Sequence, residues 1–236
     1  MEYCFNPRGI AVAGASADPA KPGHQVLHNL LEAGYPGPLY AINPKATEIL
    51  GVKAFPDLAQ VPAPLEMLVL ALPAQTTPAM IEAIRERVQQ KGDLKVVVAI
   101  AGGFAETGLP EGRQWQSSLA EACRQLGVRL IGPNCIGVID NRHQVDTTFL
   151  TGVERSVSGI SVLSQSGAMG AWMFLEWGGW PVPVGLNKFI SLGNMADVTM
   201  TEVMDALGDD PSTRAVGLYL EGASQARPLL EAAARV

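Results

Sequence analysis

Ile10-Ala-Val-Ala-Gly-Ala-Ser16 is a short apolar run that stops on a glycine; Pro22-Gly23, a stretch of helical apolar spacing and then Leu39-Tyr-Ala-Ile-Asn-Pro-Lys45 follow it. The four pieces read as strand, loop, helix and strand. A buried strand that delivers the chain straight into a helix leaves the helix's first N–H groups without intrahelical acceptors. Those groups suit a phosphate.

Two features of this unit depart from the usual dinucleotide fingerprint. Gly14-Ala15-Ser16 keeps the first glycine of GxGxxG and lacks the second and third, which bring backbone close to a pyrophosphate. Where an acidic residue would meet a ribose hydroxyl at the end of the second strand, the chain has Asn43-Pro44-Lys45. A lysine there suits an additional phosphate on the nucleotide, as coenzyme A carries at its 3′ position and NADP at 2′. For the loop taken alone, an ordinary strand–turn–helix with a solvated Lys45 is the competing reading.

The chain has 236 residues, 47% of them hydrophobic, which is room and material for one large or two ordinary packed domains. A net charge of −6 offers no basic surface for nucleic acid, so any phosphate site is local. The longest apolar runs, 67–72 and 96–101, fall well short of the ~20 residues of a membrane helix. The first nine residues lack the basic start and apolar run of a signal peptide, and the expectation is a cytoplasmic protein that binds no membrane. Cys4, Cys123 and Cys135 are odd in number and far apart, which argues against structural disulfides and a zinc site. His24 and His28 lie four apart on a helix, but no third ligand accompanies them; no metal is expected, and loop packing or a phosphate-facing role suits His24 better.

Apolar residues Val26, Leu27, Leu30 and Leu31 predict a helix over 25–33, closed by Gly34. Strands are expected at 39–42, 65–72, 95–100 and 129–131, a short turn and strand at 48–56, and helices at 78–90 and 113–126. Strands alternating with helices imply βαβ units and a parallel sheet, whose ligands bind beyond the carboxyl ends of the strands. Gly14 to Ser16, Asn43 to Lys45, Pro73 and Ala101-Gly102-Gly103-Phe104 all fall at such ends.

Residues 141–158 are polar and irregular and are read as an interdomain segment between a first domain, 1–140, and a second, 159–236. The alternation then resumes with a strand at 159–163, a tight Ser164-Gln165-Ser166-Gly167 turn, and a helix at 168–177 whose Met169, Trp172, Met173 and Leu175 are expected in the core. A strand at 189–192, a helix at 198–207, a strand at 215–220 and a helix at 226–236 complete it. The fold class expected is α/β: a Rossmann-like parallel-sheet domain followed by a second, truncated flavodoxin-like α/β domain.

The order of these motifs resembles the CoA-binding and ligase domains of the NDP-forming acyl-CoA synthetases, the superfamily of the succinyl-CoA synthetase α subunit and the ADP-forming acetyl-CoA synthetases. The resemblance is carried by residues 5–16, Ala41-Ile-Asn-Pro-Lys45, Ile131-Gly-Pro-Asn-Cys-Ile-Gly137, Ser164-Gln-Ser-Gly167 and Leu220-Glu-Gly222. It implies that Gly14, Ala15, Ser16 and Lys21 lie against the CoA diphosphate and that Asn43 and Lys45 serve its nucleotide, with Lys45 near the 3′-phosphate. Pro73 and Ala101 to Phe104 would line the adenine and pantetheine path, and Asn134 and Cys135 would meet the thioester end. Ser164, Ser166 and Gly167 would cradle phosphate at a helix start, and Glu221 would be the carboxylate that orients the family's phosphorylated histidine.

The family's histidine follows the position of Glu221, and His24, His28 and His143 all precede it. The relay is therefore expected to need a loop and an ATP-grasp domain, with its ADP or ATP and Mg, that this stretch does not contain, either further along the chain or on a β subunit. Competing readings stand beside these. Cys135 reads equally as a buried small hydrophobe and not a nucleophile, and Glu221 as an ordinary strand-end acid. A hydrolase elbow at Ser166 fails, because GxSxG lacks its first glycine here and no histidine follows in chain order. A CoA-sensing module of a protein lysine acetyltransferase and an NADP-dependent oxidoreductase are the alternative functions.

Overall fold

The structure, a computed structural model, describes residues 1–153, 155–182, 184–222 and 226–235. After a one-turn α1 (Glu2–Phe5), the first half runs β1 (Ile10–Ala13), α2 (Pro22–Ala33), β2 (Leu39–Ile42), β3 (Glu48–Ile49), β4 (Val52–Phe55), β5 (Met67–Leu70), α3 (Thr77–Lys91), β6 (Val96–Ala99), α4 (Pro110–Gln125) and β7 (Arg129–Ile131). The second half runs β8 (Val138–Asp140), β9 (Val145–Asp146), β10 (Ile160–Ser164), α5 (Gly167–Gly178), β11 (Lys188–Ser191), α6 (Met200–Gly208), β12 (Ala215–Tyr219) and α7 (Ala226–Ala233). Val236, expected in the last helix, lies outside the described residues.

The first sheet has the order β3-β4-β2-β1-β5-β6-β7, parallel throughout except for the antiparallel edge strand β3. Strands β1, β5 and β6 are buried at every residue, as expected when both faces are covered. Their side chains divide with the period of two of a pleated strand. Ile10, Val12, Met67, Val69, Val96 and Val98 face α2 and the second half of the chain, while Ala11, Ala13, Leu68, Leu70, Val97 and Ala99 face α3 and α4.

The second sheet has the order β12-β10-β11-β8-β9, with β8 and β9 antiparallel to their neighbours. The chain therefore enters the second sheet at Val138, and part of the irregular stretch 141–158 is a strand in it. Brevity hides these strands in the sequence, each spanning three residues or fewer. One apolar cluster joins the two halves, running from Ile10 and Leu30 to Leu163, Ile190, Met204 and Leu229. Asn29, buried on α2, donates to the carbonyls of Thr148 and Leu150 at 2.8 Å, and Arg155 bridges Asp146 and Glu32.

On α5 the expected core residues need correction. Trp172 and Leu175 are 56% and 72% exposed, and the buried positions are Gly170 and Phe174. Gly170 sets the helix rotation: a Cβ there would lie 2.6 Å from the Phe189 ring, so this face packs closest and Trp172, about 200° further round, points out. Met169 and Met173 are half-buried.

Candidate functional site: two clefts along the strand ends

The order β2-β1-β5-β6-β7 sets Asn43, Gly14, Pro73, Ala101 to Phe104 and Gly132 to Asn134 in a row along one edge of the first sheet. Four strand intervals make about 19 Å. The chain reverses direction across β1 and β5, the place where open α/β sheets bind ligands. A cleft of about 550 Å³ stands at one end of the row and one of about 530 Å³ at the other.

The cleft at β1 is lined by Gly14, Ala15, Ser16, Lys21, Pro22, Gly23 and Asn43, with Leu58, Leu72 and Met80 as apolar wall. Gly14 has φ +86°, and a Cβ on it would lie 2.5 Å from the carbonyl oxygen of Ala71. A Cβ on Gly23 would lie 2.1 Å from the carbonyl oxygen of Gly14, so the start of α2 rests against the loop backbone. Gly23 thus does the work of a later fingerprint glycine from outside the fingerprint's spacing, which is why the motif does not reveal it. Helix α2 begins at Pro22, earlier than the apolar spacing suggests, with proline at its first position and Lys21 in extended conformation as its N-cap. Pro22 carries no N–H and the His24 N–H donates to the Lys21 carbonyl at 3.0 Å, so the Gly23 N–H is the one in this first turn left without an intrahelical acceptor, beside the cleft.

Asn43 ties the second strand end to the first, donating to the carbonyl of Ala15 at 2.8 Å, and its side-chain oxygen accepts the N–H groups of Lys45 and Ala46. Lys45 is exposed beside this turn. His24 accounts for itself in loop packing, its Nδ1 lying 2.9 Å from the carbonyl of Ser16. Among the described residues no group of His, Cys, Asp and Glu could hold a metal ion.

The second cleft lies where the two halves meet, lined by Glu106, Asn134, Cys135, Ile136, Gln165, Ser166, Gly167, Asn194 and Glu221 among others. It joins three of the motifs read from the sequence. Asn134 holds φ +57° in the turn after β7 and follows the cis Gly132-Pro133 bond. Cys135 is 2% exposed, its Sγ lies 3.4 Å from the carbonyl of Ala99, and burial pushes its thiol up to about 12. That thiol is a packed, protonated group.

Ser166 is the N-cap of α5, its Oγ accepting from the Met169 N–H, which leaves the N–H groups of Gly167 and Ala168 without intrahelical acceptors. Gly167 packs against Ile136, which a Cβ would approach to 2.9 Å. Ser164 is 1% exposed and donates to the carbonyl of Ser166 at 2.6 Å, so it shapes the turn from beneath and does not itself line the cleft. Gln165 accepts the N–H groups of Glu221 and Gly222 at 2.9 and 3.1 Å, bringing the exposed Glu221 carboxylate to the rim. His143 pairs with Asp140 at 2.9 Å, away from this cleft.

Glu106 joins the site without any motif to announce it. Its Oε1 accepts the N–H groups of Gly103 and Phe104 at 2.6 and 3.1 Å, which fills the backbone donors of the Gly-Gly loop from within the protein. Burial alone would raise its carboxyl, but Asn194 and these backbone donors outweigh that and hold it below the usual range. Nothing in the sequence around Glu106 marks it, because its partner Asn194 is distant in the chain.

Residues 8–141 match the CoA binding domain family, and residues 157–236 match the succinyl-CoA ligase like flavodoxin domain. Over 236 residues the chain is 37% identical to the α subunit of acetate–CoA ligase [ADP-forming] II of Pyrococcus furiosus, covering all of this chain and 49% of that one. A crystal structure of a Pyrococcus horikoshii OT3 protein superposes with a TM-score of 0.89 at 37% identity, over 100% of this chain and 52% of that one. The Ca. Korarchaeum cryptofilum dinucleotide forming acetyl-coenzyme A synthetase 1, in complex with phosphate and ADP, does so at 0.86 and 31% identity, over 99% and 48%. The chain thus spans about half the length of these relatives. No helix among the described residues is long and apolar enough to cross a membrane. The chain belongs to the CoA binding domain family and couples that domain to a succinyl-CoA ligase-like flavodoxin domain, the pairing found in the NDP-forming acyl-CoA synthetases.

Proposed function

We propose that the chain binds coenzyme A along the row of strand ends and is the CoA-binding portion of an NDP-forming acyl-CoA synthetase. In that reaction acyl-CoA, NDP and phosphate interconvert with the free acid, CoA and NTP. The observation that carries the reading is the row itself, which leads from the glycine-rich cleft at β1 to a cleft that gathers Asn134, Gly167 and Glu221. The first cleft fits a diphosphate: the carbonyl contacts of Gly14 and Gly23 leave no room for side chains, and the start of α2 and Lys21 supply positive potential. Lys45, beyond the Asn43 turn, serves the 3′-phosphate.

Coenzyme A, when bound, supplies the thiol that accepts the acyl group. The chain's own residues do the rest of the work at the junction. The N–H groups of Gly167 and Ala168 and the α5 dipole hold a phosphoryl oxygen, as fixed donors do best where water is partly excluded. Asn134 offers an amide beside that place, and Glu221 orients an incoming phosphate-carrying group at the rim. Cys135 stays a spectator beneath them. The phosphorylated histidine, the ADP or ATP site and its Mg belong to a further domain or a β subunit, and the protein works in the cytoplasm.

Isothermal titration with CoA, dephospho-CoA and NADP, on the wild type and on K45A, tests the reading. CoA should bind best, and losing the 3′-phosphate or Lys45 should each weaken binding by about tenfold, the size of one charge-assisted contact. Binding of NADP without CoA overturns it.

A further inference from the structure

Three loops meet at the thiol end of the row. Asn134 N donates to the carbonyl of Ala101 at 3.0 Å, Asn194 N to that of Pro133 at 2.9 Å, and Ala196 N to that of Gly132 at 3.0 Å. Gly193 presses so close that a Cβ on it would lie 2.3 Å from the carbonyl oxygens of both Pro133 and Asn134. Loops after β6 and β7 of the first sheet are thus fixed to the loop after β11 of the second.

Side chains complete the junction, and every polar atom of the Asn194 amide is used. Its Nδ2 donates to Glu106 Oε2 at 2.6 Å and to Gln116 Oε1 at 2.8 Å, while its Oδ1 accepts from Asn134 Nδ2 at 3.3 Å. Glu106 in turn holds Gly103 and Phe104 through its other oxygen. One carboxylate therefore links the Gly-Gly loop to the second half of the chain, and one amide passes the link on to Asn134.

We infer that Glu106 and Asn194 form a latch between the two halves and act as positioning residues for the thiol end of bound CoA, holding the Gly102-Gly103 and Pro133-Asn134 loops at the spacing its pantetheine arm requires. The inference rests on the proposed CoA reading. It assigns Glu106 no proton transfer: a carboxylate that accepts three hydrogen bonds is occupied as an acceptor. The latch lies at the opposite end of the row from Gly14 and Lys45, so its loss should be felt by the arm of the ligand and not by the nucleotide.

The polarity of the contact provides its own control. In E106Q the new amide faces the Asn194 amide, donor against donor; in N194D two carboxylates face each other. Together, E106Q/N194D reverses the bond. The amide introduced at position 106 donates to the carboxylate introduced at position 194, Asn134 still donates to that carboxylate, and Gln116 turns its amide to donate as well. Titration with CoA and with adenosine 3′,5′-bisphosphate, its nucleotide end, reads the result. E106A should weaken CoA about tenfold, the loss of a hydrogen bond to a charged group, and leave the bisphosphate within about twofold. E106Q and N194D should each weaken CoA, and the pair should recover to within about threefold of wild type. Equal weakening of both ligands by E106A, no weakening of either, or additive losses in the pair would overturn the latch.

Amide exchange separates this from failure of the CoA reading. With no ligand present, the N–H groups of Gly103 and Phe104 should exchange at least about tenfold faster in E106A and regain protection in the double variant. If the wild type binds no CoA, the ligand reading fails and exchange alone decides the latch. Unchanged protection in E106A overturns it.

Discussion

Gly23→Ala puts the close approach of α2 to the Gly14 loop to a direct test. The added Cβ would lie 2.1 Å from the Gly14 oxygen and 2.7 Å from its carbonyl carbon, both backbone atoms that no rotamer change can move. Non-bonded heavy atoms rest near ~3.5 Å, so the start of α2 or the loop must retreat by roughly 1 Å. Overpacking of that kind costs about 1–3 kcal/mol, and alanine's better helix propensity returns up to ~1 kcal/mol, leaving a net loss of about 1 kcal/mol. The binding effect is larger. A charge-assisted hydrogen bond from the Gly23 N–H to a diphosphate forms near ~2.8 Å, and a retreat of this size breaks it, lowering CoA affinity about tenfold or more. Urea unfolding and titration with CoA measure the two quantities separately. A variant within ~0.5 kcal/mol of wild type that binds CoA within about twofold would refute the argument that this contact builds the cleft.

Cys135 should resist alkylation in the folded protein at about pH 8, as should Cys4 and Cys123, since burial pushes all three thiols to about 12; all should label once unfolded. Stoichiometric labelling of native Cys135 would show the thiol to be available after all. Arg87 is fully buried, forks onto Asp93 at 2.9 and 2.7 Å, and donates to the carbonyls of Val61 and Pro62, so it pins the loop that carries Leu58 into the cleft at β1. R87M should lose about 3–5 kcal/mol in urea unfolding, because it leaves the Asp93 carboxylate with the Leu65 N–H in place of its cation and the Pro62 carbonyl without a donor, although Lys91 still serves the Val61 carbonyl; a loss under ~1 kcal/mol would contradict this. For Asp210, burial alone would raise the carboxyl, but Lys188, Ser212 and Thr213 outweigh it and hold it well below the usual range. A depressed carboxyl adds stability above its unfolded value, about 3.9, and loses it as pH falls through the folded one. D210N should therefore be less stable than wild type by about 1–3 kcal/mol near neutral pH and nearly level with it in strong acid, and a constant gap across that range would contradict the linkage.

Much of this is legible in the chain. Strands β1, β5 and β6 are uniform apolar runs because both faces are covered; their short length and the glycine or proline that follows mark them as strands, while a run without alternation leaves the register to the fold. Helix starts read less well: Pro22 and Pro110 sit at the first turns of α2 and α4, yet apolar spacing alone places both starts three residues late. On α5 nearly every residue is apolar, so the buried side is fixed by where a helix can lie against Phe189, a fact of tertiary packing. The site divides the same way. Residues within one loop, such as Gly14 to Ser16 or Asn43 to Lys45, announce themselves by local pattern. Glu106, Gln116 and Asn194 matter only because the fold brings them together across 78 and 88 positions, and no local pattern encodes that.

The apolar cluster that runs unbroken from Ile10 to Leu229 bears on modularity. The two sequence families meet in this chain near residues 141–157, yet the side chains on either side of that seam are neighbours in one interior. A chimera that exchanged one half for that of a distant relative would join well at the backbone and mismatch at Leu30, Leu163, Met204 and their surroundings. The halves are separable as units of descent but not as units of stability, and grafting one requires redesigning the face of the other.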